Sequence, residues 1–471
     1  MDSTRSLVQW VEKSRYEDLT PEVIDMVKWQ TLDTLGVLIA GSSALGCKAV
    51  VDQVSDWGGK EEASILVFGG KVPVPNAGLV NCTMARAHDF GDVHEGGGGH
   101  LSETFVPVTF ILSEYASRPV SGKEFILALT LGSELSCRLR CAMTTFGGWR
   151  SETYAPFGIV ATGGRLLDFS SEQYMDGMGI AYSQCSGNGQ ATLSGALTVR
   201  LQQGIAARSG LTSVMLAQRG ITGARDVLEG EYGFFQLYAK NEYDPARITD
   251  GLGKRYELEQ TSLKPFPCCK FTHVPIDATM QIVNEQHLKP GDVEEIIVST
   301  NTNGYRMCAS TENKYKPQTP MDAQFSIPYT VSTAVIRKKV FIDDFTDEAI
   351  KDTRVLEFCP RVKVNIDPEI DKLPGRVGPA RIELKTKDGR HFSKYVEFVK
   401  GHPKNKMTWT ECVDKFTRCA ALSAVPLSEG AIAEVIDQVN NLENVQDVRR
   451  IVRLLQKGAG SKAAAIRRKL T

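Results

Sequence analysis

A chain of 471 residues, 42% hydrophobic and 24% charged, is long enough for at least two structural units, since single cores stop growing near ~250–300 residues. A formal net charge of −1 supplies no broad basic field, which excludes nucleic acid and anionic membrane surfaces as partners and points to a small molecule. Eleven cysteines, odd in number and without paired C-x-x-C sets, argue against a disulfide framework or a structural zinc site and fit free thiols in a reducing compartment.

The N-terminal "MDSTRSLVQWVEKSRYEDLTPE" mixes acids and bases and lacks the apolar core of ~7–15 residues that a secretory signal needs. No apolar run reaches the ~20 residues that span a bilayer, so a soluble, cytoplasmic protein is expected. From there to about residue 240 the apolar spacing is helical. "PEVIDMVKWQTLDTLGVLIAG" places Pro21 in a first turn and Gly41 at a stop. "GKEFILALTLGSELSCRLRCAM" and "GALTVRLQQGIAARSGLTSVMLAQRG" predict long helices whose small residues let neighbouring backbones approach. Cys137 and Cys141, four apart in the first of these, read as buried small hydrophobes.

Within this helical block, "AHDFGDVHEGGGGHLSE" (residues 87–103) holds His88, His94 and His100 at six-residue spacing. That spacing cannot align three rings on one face of a straight helix, so a loop is expected to arrange them. Gly96–Gly99 permit close approach to a ligand just before His100. A histidine-rich loop with acids beside it suits general acid–base work, although a plain solvent-exposed loop would look similar. A metal reading is also open: His88, Asp89, Asp92 and His94 superficially resemble an HD-type metal phosphohydrolase set. Further on, Arg150 and Arg200 are available as carboxylate clamps, or as surface arginines.

At "LKPFPCCKFTHVPIDA" the texture changes. Prolines stiffen a junction carrying Lys264, Lys270 and His273 around Cys268 and Cys269, a combination of cations and a titratable imidazole suited to a carboxylate. "VEEIIVSTN", "RVKVNID" and "ARIELKTKDGRHFSKYVEFVKG" then alternate as strands do, with "KDGR" as a hairpin turn. After "GHPKNKM" the pattern is helical again. The expected organisation is a helical domain over 1–265, an α+β domain over 266–402 and C-terminal helices over 403–471 that return to the first domain. The basic end, "GAGSKAAAIRRKLT", reads as a frayed terminus. No Rossmann, Walker or nucleophile-elbow motif occurs, so nucleotide-cofactor and serine-hydrolase chemistry lack their marks.

Taken in order, "DTLGVLIAG", "HDFGDVH" with "HLSETFVPVTFILSEYASRPVSGKEFILAL", "APFGIVATGGRLL", "LQQGIAARSGLTSVMLAQRGITGARDVLEGEYGFF", "KPFPCCKFTHVPIDA", "AQFSIPYTVSTA" and "GHPKNKMTWTECVDKF" resemble the MmgE/PrpD family, which includes dehydratases, decarboxylases and epimerases of small polycarboxylates. The resemblance implies a mostly α fold, a large all-helical domain plus a smaller α+β lid, a homodimer, and proton transfer beside a carboxylate without metal or organic cofactor. It implies catalytic roles for Asp89, His100, Lys264 and His273, with Asp89 fixing the tautomer and orientation of His100. Substrate contacts are expected from Arg200, Cys269, Arg150, Glu103 and Tyr329.

Three departures stand out. Where the family reads His-Pro-Ser-Ala this chain reads His100-Leu101-Ser102-Glu103, and a Glu103 facing the pocket would repel a polycarboxylate. Trp149 and Arg150 stand where a second histidine is expected. The glycine run replaces a threonine-containing loop. These changes make an epimerase or isomerase of an amino- or imino-dicarboxylate an alternative to the dehydratase or decarboxylase. From other classes, the metal phosphohydrolase and a non-catalytic carboxylate-binding protein remain.

Overall fold

The computed structural model of the chain describes residues 3–456 except 98, 146 and 374–376, so the basic C-terminal end lies outside the described residues. Thr20 accepts the N–H of Val23 and Pro21 occupies the first turn, which starts the helix Pro21–Gly41 where the sequence predicts it. Such a cap stabilises a helix by ~1 kcal/mol. Every residue from Gln30 to Gly41 is buried, so this helix is a central strut rather than an amphipathic surface element.

Around it lie Val74–Arg86, Ser102–Tyr115 and Gly122–Ala142, and on the first of these packs Thr198–Gln218. The last crosses Val74–Arg86 at close range: a Cβ on Gly204 would sit 2.2 Å from the Leu79 carbonyl oxygen, so only glycine permits that approach. The N-terminal part is not purely helical, contrary to expectation. Two short antiparallel ladders interrupt it, Ala63–Ser64 with Lys71–Val72 and Asp92–His94 with Thr261–Leu263. The second ties the histidine-rich segment to the chain entering the Lys264 junction, so two distant sequence motifs become neighbours.

The lid carries a four-stranded sheet in the order Val362–Ile366, Val293–Thr300, Ala380–Thr386, His391–Val396. The first pair is parallel, which requires a long crossover, and the chain between them supplies it, including the helix Ile327–Arg337. The other pairs are antiparallel, joined at one end by the predicted turn at Lys387–Arg390. Alternation puts Ile296, Val298, Ile382 and Leu384 inside, in an apolar cluster of their own. Cys412 and Phe416 of the tail helix Trp409–Ala420 belong instead to the large cluster that also contains Leu7 and Leu35, and this helix packs on Pro21–Gly41. Among the described residues no helix is long and apolar enough to cross a membrane.

Candidate active site

The helix Val74–Arg86 ends just before His88 and Asp89, and Asp89 sits in the left-handed region at φ 52°. That turn points the Asp89 carboxylate inward, where Arg86 Nη1 meets Oδ1 at 2.5 Å and Lys264 Nζ lies 3.0 Å from Oδ2. Lys264 also donates to the Asp89 main-chain carbonyl at 2.8 Å. Burial pushes the Asp89 carboxyl upward, but Lys264 and Arg86 outweigh it and hold the group well below the usual carboxylate range. Asp89 is therefore an anion at neutral pH, already engaged by Lys264.

His100 sits at the mouth of the helix Ser102–Tyr115. Its Nδ1 lies 2.8 Å from the main-chain carbonyl oxygen of Asp92, which can only accept, so Nδ1 carries the proton. The Nε2 lone pair then faces Asp89, 3.9 Å from Oδ1. This corrects the expected division of labour: Asp92, not Asp89, fixes the His100 tautomer, through its backbone. Burial first, then Arg86, Lys264 and Arg150, lower the imidazole far below its ordinary value, which keeps His100 neutral. Gln203 secures the segment from behind by donating to the His100 carbonyl at 3.2 Å.

Glu103 does not face a substrate carboxylate. Its Oε1 accepts the Gly91 N–H at 3.2 Å, Oε2 lies 3.4 Å from Arg86 Nε, and the side chain is fully buried. Burial, opposed by Arg86 and Lys264, raises its carboxyl to about 8, so it is mainly protonated at neutral pH and repels little. Arg86 thus bridges Asp89 and Glu103. The sequence reading missed it, although an arginine three residues before an aspartate at a helix end was the available signal.

The remaining expected residues divide. Arg200 is buried on Thr198–Gln218, donating to the Leu45 carbonyl at 2.9 Å while its Nε has no partner. Arg150 is half-buried and within electrostatic reach of His100. Cys269 is buried, its sulfur 3.9 Å from Met307 Sδ, and hydrogen bonding with Cys308 lowers its thiol. His273 is enclosed: its Nε2 lies 3.0 Å from the Cys268 carbonyl oxygen and its ring meets Phe266 edge-on. Burial, then Lys264 and Lys270, lower it far below the ordinary value. Tyr329 is not brought to the cluster; its hydroxyl is held by the Asp344 and Ala349 carbonyls inside the lid.

The phosphohydrolase set does not assemble. His88 Nε2 turns to the Ala40 carbonyl at 3.2 Å, Asp89 to Arg86 and Lys264, and His94 to Glu257 and Cys141. His94 lies on a strand rather than a loop, which sends its ring away from the other two. Cys141 is likewise no plain core thiol, being part-exposed and 3.8 Å from His94 Nδ1.

Comparison with known proteins covers nearly the whole chain. The MmgE/PrpD N-terminal domain matches residues 5–246 and the MmgE/PrpD C-terminal domain residues 266–441. Cis-aconitate decarboxylase of Aspergillus terreus is 23% identical, the match covering 96% of this chain and 95% of that one. The Homo sapiens cis-aconitate decarboxylase is 26% identical over 96% and 94% of the two chains. A cis-aconitate decarboxylase-like protein, oryM of Aspergillus oryzae, is 24% identical over 96% and 97%.

Proposed function

Since the chain belongs to the MmgE/PrpD family, we propose that this lyase removes a proton from the carbon next to a carboxylate of a small di- or tricarboxylate, with loss of water from the neighbouring carbon. The observation that carries the reading is the neutral His100, its Nε2 free and facing the Asp89, Lys264 and Arg86 cluster. His100 takes the proton at Nε2, the C–H electron pair becomes the new C=C bond, and the C–O pair leaves with the hydroxyl oxygen, which takes the proton back from the imidazolium and departs as water. Charge building on the reacting carboxylate is met by Lys264, while Arg200, whose unpartnered Nε is a donor held ready, grips a second carboxylate of the substrate. The protein's own cations supply that stabilisation, so the scheme calls for no metal or organic cofactor.

Decarboxylation is the second reading, favoured by the names of the three relatives described. There carbon dioxide leaves, its bonding pair stays on carbon, and His100 must deliver a proton from Nε2. That requires the anionic substrate to raise the imidazole from its depressed state. Two-base epimerisation fits less well, because His273, the second carrier it would use, is enclosed. The division into 1–265, 266–402 and 403–471, with the tail completing the first domain and a homodimer as the working assembly, belongs to the same proposal and is supported by the tail's share in the large apolar cluster.

The test is proton NMR in deuterium oxide with a panel of di- and tricarboxylates and a His100→Gln control. Deuterium entering beside a carboxylate with reversible loss of water supports the dehydratase. Release of carbon dioxide with one deuterium in the product selects the decarboxylase. Turnover unaffected by His100→Gln would overturn both.

A further inference from the structure

Behind the histidine-rich segment a second group of side chains converges that the reaction above does not use. His94 ends the strand Asp92–His94, Cys137 and Cys141 lie on one face of Gly122–Ala142, and Glu257 comes from the short turn Glu257–Gln260. One donor atom each from His94, Cys137 and Cys141 lies within 4.8 Å of the others. Cys141 Sγ is 3.8 Å from His94 Nδ1 and 4.0 Å from Glu257 Oε2. His94 Nε2 is buried, without a hydrogen bond, 3.5 Å from the same Glu257 oxygen.

We propose that His94, Cys137 and Cys141 form a binding site for one zinc-class divalent cation, with Glu257 beside the histidine to orient it. Zinc–sulfur and zinc–nitrogen bonds of about 2.3 and 2.0 Å set tetrahedral edges of roughly 3.5–3.8 Å, so the donors close on an ion by contracting by up to about 1 Å. Two thiolates and an imidazole match the preference of borderline-soft metals and discriminate against magnesium and calcium, which take oxygen. Nδ1 is the ligating nitrogen, because it faces the sulfur. Nε2–H comes within reach of Glu257 as the ring turns onto the ion, giving the carboxylate–histidine–metal arrangement that fixes tautomer and ring orientation.

The Nδ1 lone pair now accepts the Gly97 N–H at 2.7 Å, so binding exchanges that bond for the metal. Gly97 packs tightly, a Cβ there falling 2.8 Å from Arg140 Cγ, and the fourth coordination position is left for water. Three protein ligands and one open position make a site of the Cys₂His kind. The ion touches no group assigned to the reaction, but it holds the strand whose Asp92 carbonyl orients His100.

The test is titration of the full-length, reduced, chelator-treated protein with cobalt(II), read by absorbance and independent of activity. One equivalent should produce tetrahedral visible bands and a thiolate-to-cobalt charge-transfer band. Cys141→Ser, at the part-exposed end of its helix, should abolish the charge-transfer band or displace it and weaken binding more than 10-fold. Glu257→Gln should weaken binding 10- to 100-fold with the sulfur band retained. Cys185→Ser, remote from the cluster, should leave the titration unchanged. Circular dichroism establishes that each variant is folded; should Cys141→Ser fail to fold, Cys141→Ala and Glu257→Gln decide in its place. A folded wild-type protein without the sulfur band, or one whose cobalt spectrum persists unchanged without Cys141, overturns the site.

Discussion

His100 and Asp92 are joined through the backbone: the imidazole Nδ1–H donates to the Asp92 main-chain carbonyl at 2.8 Å, leaving Nε2 as the free base. The tautomer is set by a group that cannot titrate, so it should survive removal of the charge at Asp89. In Asp89→Asn, nitrogen-detected NMR of His100 should still show the Nδ1–H form, while turnover falls at least ~10²-fold because the anion that places Lys264 is gone. A switch to the Nε2–H form would return the orienting role to Asp89. His100→Gln should cost ~10²–10⁴-fold in kcat with little change in melting temperature.

Glu103 gives a pH prediction. Burial raises its folded carboxyl to about 8, from an ordinary value of 4.5. A raised carboxyl means the folded state keeps a proton that the unfolded chain has already released. The stability this proton confers is complete below about 4.5 and is lost as pH rises towards about 8. Glu103→Gln mimics the protonated form at every pH. Denaturant unfolding should show the two proteins equal near pH 4, then a gap in favour of the glutamine variant. That gap widens by at most about 1.4 kcal/mol per pH unit and levels above pH ~8. A constant gap across that range would mean Glu103 is ionised in the folded protein.

Periodicity and capping carried the helices and the lid sheet into view from the sequence, because those signals are local. Pro21 in the first turn, and the strand alternation from Val293 to Thr300, depend on residues close in the chain. The cluster of Asp89, His100 and Lys264 was legible only through ordered motifs, since Lys264 reaches Asp89 across 175 positions. The direction of each side chain was not legible. Glu103 turns back under Arg86 because the Gly91 N–H and a guanidinium await it there, and no spacing rule encodes that. Cys141 read as core because four-residue spacing says nothing of a histidine arriving on a strand 47 positions away.

Replacing Arg200 should separate binding from chemistry. Its Nη1 is held by the Leu45 carbonyl while Nε is buried without a partner. A donor that grips a carboxylate equally in ground and transition states affects KM more than kcat. Arg200→Met should therefore raise KM at least ~10-fold with a smaller change in kcat. A loss confined to kcat would place Arg200 at the reacting carbon instead.

Lys415, on the tail helix, connects that helix to the site. Its Nζ donates to the carbonyls of Phe90 at 2.7 Å and Lys264 at 2.8 Å, and pairs with buried Asp33 at 2.6 Å. The two carbonyls belong to the segments that carry Asp89 and Lys264, so one ammonium ties both to the central helix. Lys415→Met leaves Asp33 buried without its counter-ion and should destabilise by ~3–5 kcal/mol. Adding Asp33→Asn removes the orphaned charge and should restore most of that stability. The double variant still lacks the tie between the segments, so its kcat should stay depressed after its unfolding midpoint has recovered. Recovery of both together would make Lys415 a purely structural cation, whereas recovery of stability alone identifies it as the residue that positions Asp89 against Lys264.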